Sequence, residues 1–155
     1  MKNIIIISDT HNRLPNNEAF WDILGHVDYI FHLGDGARDI DLLKEAFGDR
    51  LYYVYGNWDC RSCEEEKVVE IEGVKFFLTH GHKYKVKSSD LDLHIRGLEL
   101  GVDCCLYGHT HRAQIDRYDD LTLINPGSIA YSQSYCFMTV KDKKILAKLC
   151  STLLL

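Results

Sequence analysis

Six short apolar runs in this chain each end in a small polar motif, and that repetition constrains the fold more than any other feature. The run NIIIIS (3–8) leads into Ser8-Asp9-Thr10-His11. DYIFHL (28–33) leads into Leu33-Gly34-Asp35-Gly36, and LYYVY (51–55) into Tyr55-Gly56-Asn57-Trp58-Asp59. Further on, VKFFLTH (74–80) leads into Thr79-His80-Gly81-His82. VDCCLY (102–107) leads into Gly108-His109-Thr110-His111, and LTLI (121–124) into Asn125-Pro126-Gly127-Ser128. Runs of this length, bounded by turn-forming residues, read as strands, the earliest of them buried on both faces.

Between the first three strands lie helix-compatible stretches, about residues 16–25 and 38–47. In the second, Ile40, Leu42, Leu43, Ala46 and Phe47 recur at helical spacing, and Gly48 is a natural stop. Strand–helix alternation implies parallel pairing through crossover helices. The second half reads differently. KVVEIEG (67–73) and VKFFLTH form a hairpin turning at Glu72-Gly73. Residues 89–100 are predicted helical, capped by Ser88 or Ser89 and stopped by Gly101. Residues 113–125 form a hairpin turning at Asp119-Asp120, and 134–150 a last hairpin around Lys141–Lys143. The expected fold is mixed α/β. Parallel strands come first and antiparallel strands later, in two packed sheets with helices outside. No repeat or linker interrupts the chain, so residues 1–155 are expected to form one domain.

Bulk properties narrow the function. A net charge of −5 argues against a general nucleic-acid or membrane-surface binder. The three lysines of Lys83–Lys87 read as a solvated loop. Ile4–Ile7 is too short to span a bilayer or to serve as a signal-peptide core, so a cytoplasmic protein is expected. Six cysteines then stay reduced. Cys60 and Cys63 form a lone C-x-x-C, without the second pair a structural zinc site needs. Cys104, Cys136 and Cys150 lie in apolar surroundings and read as small core residues.

Ligands in open α/β sheets bind beyond the carboxyl ends of the strands. Six strand ends therefore deliver polar groups to one edge, with Gly34, Gly56, Gly81 and Gly108 allowing close backbone approach. The groups delivered are Asp9, His11, Asp35, Asn57, His80, His109 and His111. They are oxygen and imidazole donors with no thiolate, which suits manganese, iron, cobalt, nickel or zinc. Seven are too many for one ion with an open position and fit two ions, if one carboxylate bridges. His32 reads as a packed core histidine, and His26 and His94 as surface residues.

Asp9-Thr-His11, Gly34-Asp35, Gly56-Asn57-x-Asp59, His80-Gly-His82 and Gly108-His109-Thr-His111 resemble, in order, the motifs of the calcineurin-like metallophosphoesterases. The short length, Thr79-His80-Gly81-His82 and the Asn125–Ser128 segment look most like the small YfcE-like phosphodiesterases. The resemblance implies a four-layer sandwich, two β-sheets with helices on both outer faces. It implies two divalent transition metal ions, manganese foremost. Asp9, His11, Asp35 and His111 would hold one, and Asp35, Asn57, His80 and His109 the other, with Asp35 the bridge. A metal-bridging hydroxide would attack a small phosphoester, a diester by preference.

Asp59 would orient the Asn57 loop. Many relatives carry histidine where this chain has Trp58, so the proton donor for the leaving oxygen must be sought elsewhere. His82 is the candidate, with a role in supporting the metal ligands as its alternative. Asn57 and Trp58 would meet the substrate, Trp58 offering an apolar face to a base or aryl group. Two other readings compete. One is a non-catalytic scaffold like the small retromer subunit, which has this fold but lacks some of the ligands. The other is a single-metal hydrolase or oxygenase, which leaves Asn57, His80 and His109 unused. Oligomeric state is open, with pairing of C-terminal strands between chains as one route.

Overall fold

The computed structural model describes residues 1–61 and 63–155. Strands β1 (Lys2–Ile7), β2 (Tyr29–His32) and β3 (Leu51–Tyr53) alternate with helices α1 (Glu18–His26) and α2 (Ala37–Phe47). Next come β4 (Glu66–Ile71), β5 (Val74–Thr79), helix α3 (Leu91–Leu100) and β6 (Cys104–Leu106). The chain closes with β7 (Ala113–Arg117), β8 (Thr122–Pro126), β9 (Ser134–Lys141) and β10 (Lys144–Ser151). One sheet has the order β10-β9-β1-β2-β3 and the other β4-β5-β6-β8-β7.

Three apolar clusters bind the layers. Ile4, Ile6 and Phe31 of the first sheet meet Phe76, Leu78, Leu106 and Ile124 of the second. Ile5, Ile7 and Ile30 face the other way, against Phe20 and Leu24 of α1 and Ile40 and Leu43 of α2. Phe77, Cys105 and Leu123 pack on Leu93 of α3. The order is therefore helix, sheet, sheet, helix. The β1 run is unbroken isoleucine because successive side chains point to opposite faces and both faces are covered; all four are 0% exposed.

Local signals set the element ends. Asn17 Oδ1 accepts from Phe20 N at 2.8 Å and caps α1. Gly101 ends α3 in a left-handed turn (φ 65). The helix begins at Leu91, two residues later than the expected start at 89. Asp90 holds the cap position, and Ser89 Oγ accepts from Leu91 N instead. Strand β3 is shorter than its apolar run, because Tyr55 N turns away to Glu64 O at 2.8 Å.

The distribution of pairings departs from expectation. The three hairpins β4–β5, β7–β8 and β9–β10 are antiparallel as read. However, β5–β6 and β6–β8 are parallel, so the later half is not purely antiparallel. The last hairpin crosses back to lie antiparallel to β1 in the first sheet. A turn dictates only the pairing of the strands it joins. Which sheet each hairpin enters depends on which apolar face it covers.

Candidate metal centre

The strand ends converge. Asp9 N donates to Gly34 O (2.9 Å) and His11 N to Asp35 O (2.8 Å), clasping the loops after β1 and β2. Asp59, after β3, locks the next loop to them. Its Oδ2 accepts from Asp35 N (2.8 Å) and Gly56 N (2.7 Å), and its Oδ1 from Gly36 N (2.8 Å) and Ala37 N (2.9 Å). The last two amides open α2, so this carboxylate also caps that helix from a distant loop. The two sheets meet at Asp9, whose Oδ2 accepts from His109 N at 3.0 Å. The close approaches forbid side chains at two glycines. A Cβ on Gly56 would lie 2.2 Å from Asp35 Oδ1, and one on Gly108 would lie 2.0 Å from Ser8 Oγ.

Two abutting groups result. Ligand atoms of Asp9, His11 and His111 lie within 4.8 Å of one another, and so do those of Asp35, His80 and His109. Asp35 Oδ2 stands 3.1 Å from His80 Nε2 and 3.9 Å from His11 Nε2, so it faces both groups. Five of these six residues have left-handed backbones: Asp9 (φ 52), His11 (45), Asp35 (59), His109 (71) and His111 (62). Such conformations are uncommon outside glycine, cost energy and cluster at functional sites.

The donor set fits cations. His80 Nδ1 lies 2.7 Å from Leu33 O, a pairing that needs the proton on Nδ1. In the neutral ring Nε2 then aims a bare lone pair at Asp35, and this atom and His11 Nε2 are buried without a hydrogen-bond partner. Lone pairs facing carboxylates in a buried site need a proton or a metal between them. The charges show the same demand. Burial alone would raise the Asp9 pKa, but the nearby rings of His11, His111 and His80, of which His111 Nε2 is at 3.1 Å, hold it well below the usual range. Asp35 is likewise lowered against its burial, chiefly by His80. Burial disfavours charge on His80, yet the close Asp35 and Asp9 carboxylates raise its pKa overall. His109 is pushed down to about 4, by burial first and then by His80. The two groups are candidate sites for divalent metals.

The expected neighbours divide. Asn57 and Trp58 line the same cleft of about 250 Å³, with Trp58 73% exposed. Asp59 does not point into it; both its oxygens are taken by backbone amides, which makes it a positioning residue. His82 is absent from the cleft wall. Its ring packs 5.6 Å from His80 and 6.2 Å from His109. His32 is fully buried and bears on the site from beneath, its Nδ1 accepting from Gly34 N (3.1 Å) and its Nε2 meeting Thr10 Oγ1 (2.9 Å). The Asn125–Ser128 loop supports the site from behind. Asn125 Nδ2 donates to Gly108 O (3.0 Å) and Ser128 Oγ to Asp9 O (2.8 Å). Cys104 and Cys136 are core residues, while Cys60 and Cys63 are exposed free thiols.

Sequence reading missed two residues of the cleft wall, Lys87 and Tyr131. Tyr131 stacks on His111 (centroids 5.1 Å, 13°) and stands edge-on to His11 at 5.3 Å. Its one sequence signal is its place three residues after Ser128, in the sixth strand-end loop.

A family model of the calcineurin-like phosphoesterase superfamily domain matches residues 1–143. A phosphodiesterase of Methanocaldococcus jannaschii is 34% identical over 142 residues, covering 79% of this chain and 81% of that protein. A probable metallophosphoesterase of the same organism is 35% identical over 79% of this chain, which spans 66% of that relative. A Streptococcus pneumoniae protein described as an uncharacterized, predicted phosphoesterase superposes with a TM-score of 0.82 at 28% identity, over 97% of this chain and 89% of that one. Vacuolar Protein Sorting 29 of Cryptosporidium parvum shares the fold, with a TM-score of 0.77 at 20% identity over 96% of each chain.

Proposed function

This chain belongs to the calcineurin-like phosphoesterase superfamily, and from that premise we propose that residues 1–155 form one domain that hydrolyses a small phosphodiester at a pair of divalent metal ions. The observation that carries the reading is the contact of two ligand groups through Asp35. Asp9, His11, Asp35 and His111 would hold one ion, and Asp35, Asn57, His80 and His109 the other. Manganese is the first choice; nickel, iron, cobalt and zinc suit the same donors. When bound, such a pair acidifies water toward a pKa of about 7 and offsets charge on the phosphoryl oxygens.

The chain's own residues supply the rest. Leu33 O fixes the His80 tautomer, so that Nε2 presents its lone pair. Ser8 Oγ and His109 N hold Asp9 Oδ2 in place, leaving Oδ1 toward the histidines. Trp58 N donates to Asp35 Oδ1 at 3.0 Å and leaves Oδ2 toward both groups. Asn57 and the Trp58 ring, on the cleft wall, would meet the substrate. His82 lies behind the ligand rings, which favours its holding His80 and His109 in place over its serving as the proton donor.

The scaffold reading is the weaker one, because the side chains needed for two metals are present and gathered. All six cysteines are free thiols, in keeping with a cytoplasmic setting. No described helix is long and apolar enough to cross a membrane.

Asp35→Asn tests the proposal. Turnover of bis-p-nitrophenyl phosphate and metal content are measured on the manganese-loaded protein. Loss of most of the activity with weaker binding of both ions is expected. Near-normal turnover overturns the bridge.

A further inference from the structure

The three lysines read from the sequence as one solvated run separate in space. Lys83 pairs with Glu65. Lys85 is exposed, in a left-handed turn (φ 53). Lys87 lines the cleft beside Asp35, Asn57, His109 and His111. Among the described residues it has no carboxylate partner, unlike Lys2, Lys67 and Lys83.

The backbone holds it there. Val86, one residue before, is only 8% exposed and packs with Phe77 and Tyr107. A Cβ on Gly81 would lie 2.9 Å from Val86 Cγ2, so this valine is seated against bare backbone. On the other side, Ser88 N and Ser89 N both donate to Lys85 O, at 2.9 and 3.3 Å. Lys87 therefore lines the cleft of the ligand groups from a braced loop. An unpaired ammonium beside a site that gathers cations is repelled by them unless an anion lies between.

We propose that Lys87 binds a phosphoryl oxygen of the substrate directly, from the wall of the cleft it shares with the metal ligands. The proposal rests on the phosphoesterase reading for its substrate but not for its test.

Inorganic phosphate is titrated calorimetrically into manganese-loaded wild type, Lys87→Met, Lys87→Arg and, as a surface control, Lys85→Met. Loss of one charge-assisted hydrogen bond weakens binding about tenfold to a hundredfold. That loss is expected for Lys87→Met with unchanged metal content, while Lys87→Arg stays within about threefold, the scale of a retained charge-assisted bond, and Lys85→Met matches wild type. The kcat/KM for bis-p-nitrophenyl phosphate falls in parallel. Wild-type phosphate affinity in Lys87→Met, no phosphate uptake by wild type, or loss of metal from Lys87→Met each overturns the assignment. A wild type that binds phosphate through Lys87 yet hydrolyses no diester sinks the phosphodiesterase reading and leaves the assignment standing.

Discussion

The two halves of the candidate metal centre are built differently. Asp35 and His80 are buried, with His80 tied through Nδ1 to the Leu33 carbonyl at the end of β2. In the other half Asp9 is equally buried, but its histidines lie nearer the rim. The His11 side chain is 18% and the His111 side chain 36% exposed. Their rings are steadied by Tyr131, itself 53% exposed. One half thus pairs a fully buried, backbone-fixed histidine with the half-buried His109, and the other has two half-buried histidines steadied by side-chain stacking. A preset ligand loses little freedom on binding a cation, whereas a rim ligand must be ordered and can be replaced by water.

That contrast predicts unequal consequences of matched changes. His80→Gln is expected to weaken one ion by more than about a hundredfold, beyond the 10–100-fold typical of losing an outer partner. His111→Gln should cost the other ion only about 10–100-fold, since it removes a partly solvated ligand. Metal titration with a chelator competitor reads both, and equal losses would abolish the distinction.

Asp59→Ala strikes what the halves share. Three buried amides and one part-buried amide lose their acceptor, so about 3–5 kcal/mol of stability should go, seen as a fall in Tm of about 10 °C. A fall no larger than an ordinary cap substitution, about 1 kcal/mol, would show that water replaces the carboxylate.

Acid should act through His32, which lies under Thr10 of one half and Gly34 of the other. Burial pushes its pKa down to about 4. Between pH of about 6.5 and 4 the unfolded chain then binds more protons there than the folded one, so this contribution falls as pH falls. In metal-free protein the slope is on the order of 1 kcal/mol per pH unit. His80 and His11, raised in the folded state, act in the opposite sense. The test is the difference in urea midpoints between pH 7 and 5 for wild type and His32→Gln. An unchanged difference removes His32 from the account.

Tyr131→Ala is the smallest effect. Losing one aromatic stack, about 0.5–1.5 kcal/mol, should weaken the rim-side ion about two- to tenfold and leave the buried-side ion alone. An equal effect on both would mean that Tyr131 does not belong to one half.

Much of this was legible in advance. The isoleucines of β1 announced a strand covered on both faces, and Gly48, Glu72-Gly73 and Gly101 marked their turns and stops. The seven ligand candidates were visible because each follows a strand, and strands that share a sheet present their ends to one edge. The errors share a cause. The cap read at Ser88 or Ser89 falls at Asp90, whose carboxylate accepts from Tyr118 Oη across the chain instead of from the helix, while Ser89 Oγ takes the Leu91 amide. Lys87 was read with Lys83 as one basic run, since a sequence does not show which of three alternating side chains a buried valine turns toward the cleft.

The sequence by itself determined the strand and helix periods, the turns and the kind of donors available, because these depend on each residue and its near neighbours. Only the tertiary structure decided that the last hairpin returns to β1, that Asp59 ties the loop after β3 to the loop after β2 and that Asp35 faces both halves. Those are contacts between residues far apart in the chain. Their geometry is set by which apolar faces pack together, and no local pattern records it.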